Sequence, residues 1–143
     1  MSYDLSPELT AKLEALVAAQ RAPFKASTKT RVMELRRRVN VLRQYGSDDL
    51  ARDWKSFYLT AHDLKGTGGS FGFPLITGIG ERLCRLIQSV PSPTHEDLAR
   101  AETMLEDILS ILSADLTADG GERGSALAVA YRFDPSTGME LAA

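Results

Sequence analysis

His62 stands in the stretch Thr60-Ala61-His62-Asp63-Leu64-Lys65-Gly66-Thr67-Gly68-Gly69-Ser70-Phe71-Gly72-Phe73-Pro74, and four of the ten residues that follow it are glycine. An imidazole open to solvent is a nucleophile near neutral pH and can form a covalent bond to phosphorus or carbon. A phosphoryl group placed on it brings about two negative charges, which Lys65 and Lys55 are near enough in sequence to offset. Each glycine inside a helix costs about 1 kcal/mol relative to alanine. Several of them beside one histidine therefore signal a use for bare backbone.

The elements that must present these residues are helices. Ser6-Pro7-Glu8 reads as an N-cap, a proline at the first helical position and an acid in the first turn. Leu9, Leu13, Leu16 and Val17 then form a short apolar stripe that Pro23 is expected to end. A second helix is expected from about Ser27 to Tyr45, with Val32, Leu35, Val39 and Leu42 as its core face and Gly46 as its stop. Ser47 is expected to cap a third. That helix carries Leu50, Trp54, Phe57, Ala61, Leu64, Gly68 and Phe71 at spacings of four and three, the seam of an antiparallel bundle.

On a wheel of about 100° per residue with Leu64 at zero, this seam averages roughly 30° and His62 lies at roughly 160°. Tyr58, Lys55, Lys65, Gly66 and Gly69 all fall between roughly 100° and 200° on the same wheel. The histidine points away from the core, and the bare strip beside it lies where another macromolecule can approach.

Gly72 and Pro74 end the third helix and start a fourth, from Leu75 to about Gln88. Pro91 to Thr94 is a connector ending in a cap, and a fifth helix carries Leu98, Ala101, Leu105, Ile108 and Leu112. The expected fold is all-α: an antiparallel up-down four-helix bundle with an additional N-terminal helix and a short C-terminal tail or hairpin. The expected divisions are 1–26 as the N-terminal extension, 27–117 as the bundle, and 118–143 as a linker at Asp119-Gly120-Gly121 followed by the tail. A hairpin around Asp134-Pro135-Ser136-Thr137-Gly138 and an unstructured tail are equally open readings.

Composition narrows the class. The chain has 143 residues, 43% apolar and 7% aromatic, which suits one domain with a sizeable core. A net charge of −2 and a pI near 5.7 give no general attraction to nucleic acid or anionic lipid. No apolar run approaches the roughly 18 residues of a membrane span, and Met1-Ser2-Tyr3-Asp4 lacks the basic start of a secretory signal, so a cytoplasmic protein is expected. Cys84 is the single cysteine, which excludes an internal disulfide and a thiolate zinc cluster.

No metal site is expected, because neither a second histidine nor a carboxylate cluster stands at metal spacing. No nucleotide loop is expected either: the glycines lie in and at the end of a helix, with no strand before them and no Lys-Ser/Thr after them. His95, in the first turn after the Thr94 cap, is assigned no role. Arg36-Arg37-Arg38 raises a DNA-binding reading, but consecutive residues point to different sides of a helix, and nearby Glu34, Asp48, Asp49 and Asp53 dilute the field. Steering of an acidic partner is the alternative use of that run.

His62-Asp63-Leu64-Lys65-Gly66, followed by Thr67-Gly68-Gly69-Ser70-Phe71-Gly72, resembles the signature of histidine-containing phosphotransfer domains: His, two residues, Lys-Gly, a run of small residues, an apolar residue, then Gly. The likeness extends to Ala61, to Phe71-Gly72-Phe73-Pro74 and to Leu83-Cys84, and it spans roughly residues 28–116. The resemblance implies a four-helix-bundle intermediate of two-component phosphorelays that exchanges a phosphoryl group with the aspartate of response-regulator receiver domains or with a histidine kinase.

It implies that His62 is phosphorylated, that Lys65 polarises the phosphoryl group, and that Gly66 is the gap through which the receiver reaches the histidine. The receiver would bring the Mg²⁺, so no cofactor of the chain's own is implied. The amino-terminal phosphotransfer domain of chemotaxis kinases shows a similar pattern and is the alternative. A non-catalytic helical adaptor that binds a receiver is another. A monomer docking one receiver over Tyr58 and the His62 face, without nucleic acid or membrane, is the expected assembly.

Overall fold

The structure, a computed structural model, describes residues 6–141; residues 1–5 and 142–143, and with them the start read for a leader, lie outside the described residues. The first helix, α1, spans Pro7–Tyr45. The Ser6 side chain accepts the Leu9 N–H at its start, and Gly46, at φ +68°, stops it by donating its N–H to Leu42 O. The two helices expected on either side of Pro23 are therefore one.

A proline inside a helix removes one hydrogen bond, here to the carbonyl of Ala19. Both residues are exposed, so water can satisfy that carbonyl, and the sequence on either side carries the helix through. The expected N-terminal extension is thus the leading part of α1. Leu9, Leu13, Leu16 and Val17 are exposed along it, and contact with the rest of the fold begins at Arg21 and Phe24. Phe24 stacks on Phe71 with ring centroids 4.3 Å apart.

The expected third helix is divided. Asp49, not Ser47, caps α2 (Leu50–Ser56) by accepting the Arg52 N–H, while Ser47 bonds Asp53. At Phe57 the N–H takes the carbonyl of Trp54, three residues back, at 3.1 Å, a tightened turn that separates α2 from α3 (Tyr58–Gly68). Trp54 and Phe57 are buried edge to face there, and Trp54 Nε1 donates to Val90 O at 2.9 Å.

A 3₁₀ turn at Gly69–Phe71 and Gly72, at φ +88°, lead into α4 (Pro74–Ser89). Thr94 and Asp97 form a reciprocal capping box that starts α5 (His95–Ser113).

Side-chain pairs fix how the helices lie. Lys25 with Asp115 (3.1 Å) and Arg43 with Glu102 (3.0 Å) set α1 antiparallel to α5. Arg31 with Asp63 (2.7 Å) and Arg38 with Ser56 Oγ (3.2 Å) set α1 antiparallel to α2 and α3. α3 packs against α4, and α4 against α5. Val32, Leu35, Val39, Ala61, Leu64, Leu75, Ile79, Leu83, Leu105 and Ile108 fill the space between them, each at most 3% exposed.

The segment from residue 118 departs most from expectation. Gly121–Tyr131 is a helix, α6, packed on α4, and the chain then turns through Asp134 to Gly138, where Phe133 and Glu140 pair in a single antiparallel bridge. The turn expected at Asp134–Gly138 is present. Of the linker expected at Asp119-Gly120-Gly121, Asp119 lies in a turn, Gly120 caps α6 and Gly121 is its first residue. Phe133 is buried with its ring against Gly78, where a Cβ would lie 2.5 Å from the ring, and Tyr131 Oη donates to Asp107. The helix Gly121–Tyr131 thus belongs to the packed structure.

Candidate functional site

α3 buries Ala61, Leu64 and Gly68 and turns His62 to solvent, because at about 100° per residue His62 stands roughly 130° round the helix from the mean direction of the seam. One turn before His62, the Tyr58 ring lies 5.8 Å away, centroid to centroid, tilted by 40°. One turn after it, Gly66 opens onto empty space: a Cβ there would meet nothing within 4 Å. Tyr58, His62 and Gly66 thus form a strip along one face. One cleft lies between α1 and α5 and another is lined by α4, α6 and the C-terminal turn, and neither includes His62.

The neighbouring charges are placed by α1 and α4. Asp63 is held by Arg31 at 2.7 Å and so faces α1. Lys65 is drawn the other way: its Nζ lies 2.6 Å from Glu81 Oε2 on α4. The hydrogen bond to Glu81 and that carboxylate's charge push the Lys65 ammonium above the ordinary lysine value. Burial alone would raise the Glu81 carboxyl, but the hydrogen bonds from Lys65 and Arg85 outweigh it and hold it below the usual range. Next to this pair Cys84 is buried, its thiol pushed up to about 11 by burial with the Glu81 charge adding to it, so it is held as an unreactive thiol.

The close approach of α3 and α4 makes this pairing possible. A Cβ on Gly80 would lie 2.8 Å from the backbone nitrogen of Lys65. Gly69, in the 3₁₀ turn, donates its N–H to Thr77 Oγ1 at 2.9 Å. Gly80→Ala should therefore destabilise the protein by roughly 1–3 kcal/mol, since backbone must move to admit one methyl group. A thermal melt checks it; an unchanged midpoint would mean that α3 and α4 do not meet there.

Of the residues singled out in the sequence, Tyr58, His62 and Gly66 come together. Gly69 is exposed beyond the end of α3, and Lys55 sits on α2, across the tightened turn at Phe57. Three neighbours escape a reading of the sequence: Leu59, 74% exposed one turn before His62, and Arg31 and Glu81, which reach the site from other helices. Leu59 was visible as an apolar residue off the seam. Arg31 and Glu81 carry no local signal.

The arginine run is distributed around α1. Arg37 pairs with Glu34 at 2.6 Å, Arg38 covers the Phe57 ring at 4.9 Å, and Arg36 lines the cleft between α1 and α5. Among the described residues, no group of three or more His, Cys, Asp or Glu is placed to hold a metal ion, and no helix is long and apolar enough to cross a membrane. No family model, no curated protein and no solved structure matches the chain.

Proposed function

We propose that this chain is a cytoplasmic phosphocarrier of the histidine-containing phosphotransfer type, an up-down four-helix bundle that carries a phosphoryl group on His62 and exchanges it with receiver aspartates or a histidine kinase. One observation carries the reading: His62 stands exposed on a helix whose opposite face is core, with bare backbone at Gly66 one turn on. Small-molecule enzymes enclose their substrates in concave sites. A nucleophile on an exposed helix face suits a partner that brings the pocket.

In the proposed exchange a ring nitrogen of His62 attacks the phosphorus of a receiver's aspartyl phosphate. The nitrogen–phosphorus bond forms, the phosphorus–oxygen bond breaks, and the aspartate leaves as a carboxylate. The receiver supplies Mg²⁺ and the acidic pocket. The chain supplies the nucleophile, a nearby cation in Lys65, and an apolar footing in Tyr58 and Leu59. One receiver would dock per monomer, in an interface of about 1,200 Å² or less, the size of transient signalling encounters. Lys55 and Gly69 border that face and would meet the partner's rim.

The test is transfer of radiolabel from a phosphorylated receiver. Label should appear on this protein within the mixing time of the reaction, in a form lost in acid and kept in base, as a phosphoramidate requires. Label that resists acid, or none from any receiver of the same cell, would refute the reading.

A further inference from the structure

We propose that Glu81 is a positioning residue: it holds the Lys65 ammonium against α4, beside His62 and not over it, so that a group carried on His62 must compete with a carboxylate for that cation. The identity of the carried group rests on the phosphocarrier reading; the placement of Lys65 does not.

Three features fix the carboxylate while leaving the ammonium free to move. Gly80 brings the α4 backbone against the backbone of Lys65, so the side chain of the next residue, Glu81, necessarily lies within reach. Arg85 Nε donates to Glu81 Oε1 at 3.0 Å and is itself gripped by Glu140, at 2.6 Å from Arg85 Nη1, while Arg82 adds a further contact to Glu140 at 3.1 Å. Glu81 is thus held through the carboxylate oxygen that Lys65 does not contact, by a chain of charges running to the C-terminal turn. The Glu81 side chain is 21% exposed and that of Lys65 is 44% exposed, so the anion is the anchored partner and the lysine is the one with room to swing.

The chemistry of the competition follows from charge and reach. His62 and Lys65 are three residues apart on one helix, where Cβ atoms stand about 5–6 Å from each other, so a lysine side chain spans the distance to either anion. A phosphoryl group carries close to two negative charges near pH 7, against one on Glu81, so the ammonium can be recruited to it, or shared, with no change in its own protonation. Before phosphorylation, Glu81 keeps a cation from lying across the attacking imidazole. Afterwards the same carboxylate limits how firmly Lys65 grips the phosphoryl oxygens, and a group that must be passed on is not held too tightly.

Glu81→Gln, isosteric and uncharged, tests this. The Lys65 ammonium, followed by NMR in the unphosphorylated protein, should titrate at a lower pH in the variant than in the parent, moving towards the ordinary lysine value of about 10.4. Each protein is then treated with phosphoramidate, whose nitrogen–phosphorus bond breaks as the bond to the His62 ring nitrogen forms and ammonia leaves. The phosphoryl group, followed by ³¹P NMR, should titrate lower in Glu81→Gln than in the parent, because the freed ammonium favours the dianion. That difference should vanish between Lys65→Ala and Lys65→Ala/Glu81→Gln.

An unchanged Lys65 titration would overturn the inference, as would a phosphoryl difference that persists without Lys65. A parent protein that takes no phosphoryl group counts against the proposed function, and the Lys65 titration then decides alone on Glu81.

Discussion

His62→Gln should abolish phosphoryl uptake while leaving the thermal unfolding midpoint where it is. The side chain is exposed, and its closest aromatic neighbour, Tyr58, lies 5.8 Å away between ring centroids, so little packing is lost. Surface changes of this kind shift stability by no more than about 0.5 kcal/mol. Glutamine keeps a polar side chain but has no nucleophilic ring nitrogen, so the covalent intermediate cannot form. His95→Gln is the control: it lies exposed at the first position of α5, and its loss should leave uptake unchanged. Persistent labelling of His62→Gln that disappears on removing His95 would move the site to α5 and sink the assignment.

The glycines separate docking from folding. Gly66 faces open space, so Gly66→Ala should stabilise the fold by up to about 1 kcal/mol through helix propensity alone. Gly66→Leu should also fold, yet it sets four carbons where the partner's active site must close over His62. Misplacing reacting groups by about 1 Å costs on the order of a hundredfold in rate, and that is the loss expected in single-turnover transfer.

Gly68 sits two residues on and faces the other way. A Cβ there would stand 3.0 Å from Ile76 Cβ, Phe73 O and Thr77 N. Gly68→Leu should therefore cost at least roughly 1–3 kcal/mol of stability, while whatever remains folded should still transfer. Equal transfer rates for Gly66→Leu and the parent protein would remove the docking role from the bare strip.

What the sequence by itself determined was short in range. Ser6 and Thr94 as caps, Gly46 as a stop, the turn at Gly72 before Pro74, and the face on which His62 stands all follow from interactions within a few residues, and the structure has each of them. The seam through Trp54, Phe57, Ala61, Leu64 and Gly68 was legible because a helix buries residues at spacings of three and four wherever it meets a core.

Tertiary packing decided the rest. Pro23 lies within α1 because its lost hydrogen bond falls where water can replace it, and Phe24 just beyond it is tied to the body by stacking on Phe71. The expected third helix breaks at Phe57, where two large rings are buried side by side and Trp54 is anchored to Val90. The glycine- and alanine-rich segment from residue 121 has too weak a pattern to announce a helix. It forms one against α4, with Ala128 buried and the Phe133 ring seated on Gly78 just beyond its end. Lys65 was visible as a cation near His62, but only the approach of α4 at Gly80 brings Glu81 to it, because the partner of a long flexible side chain is set by the helix across from it and by nothing in its own.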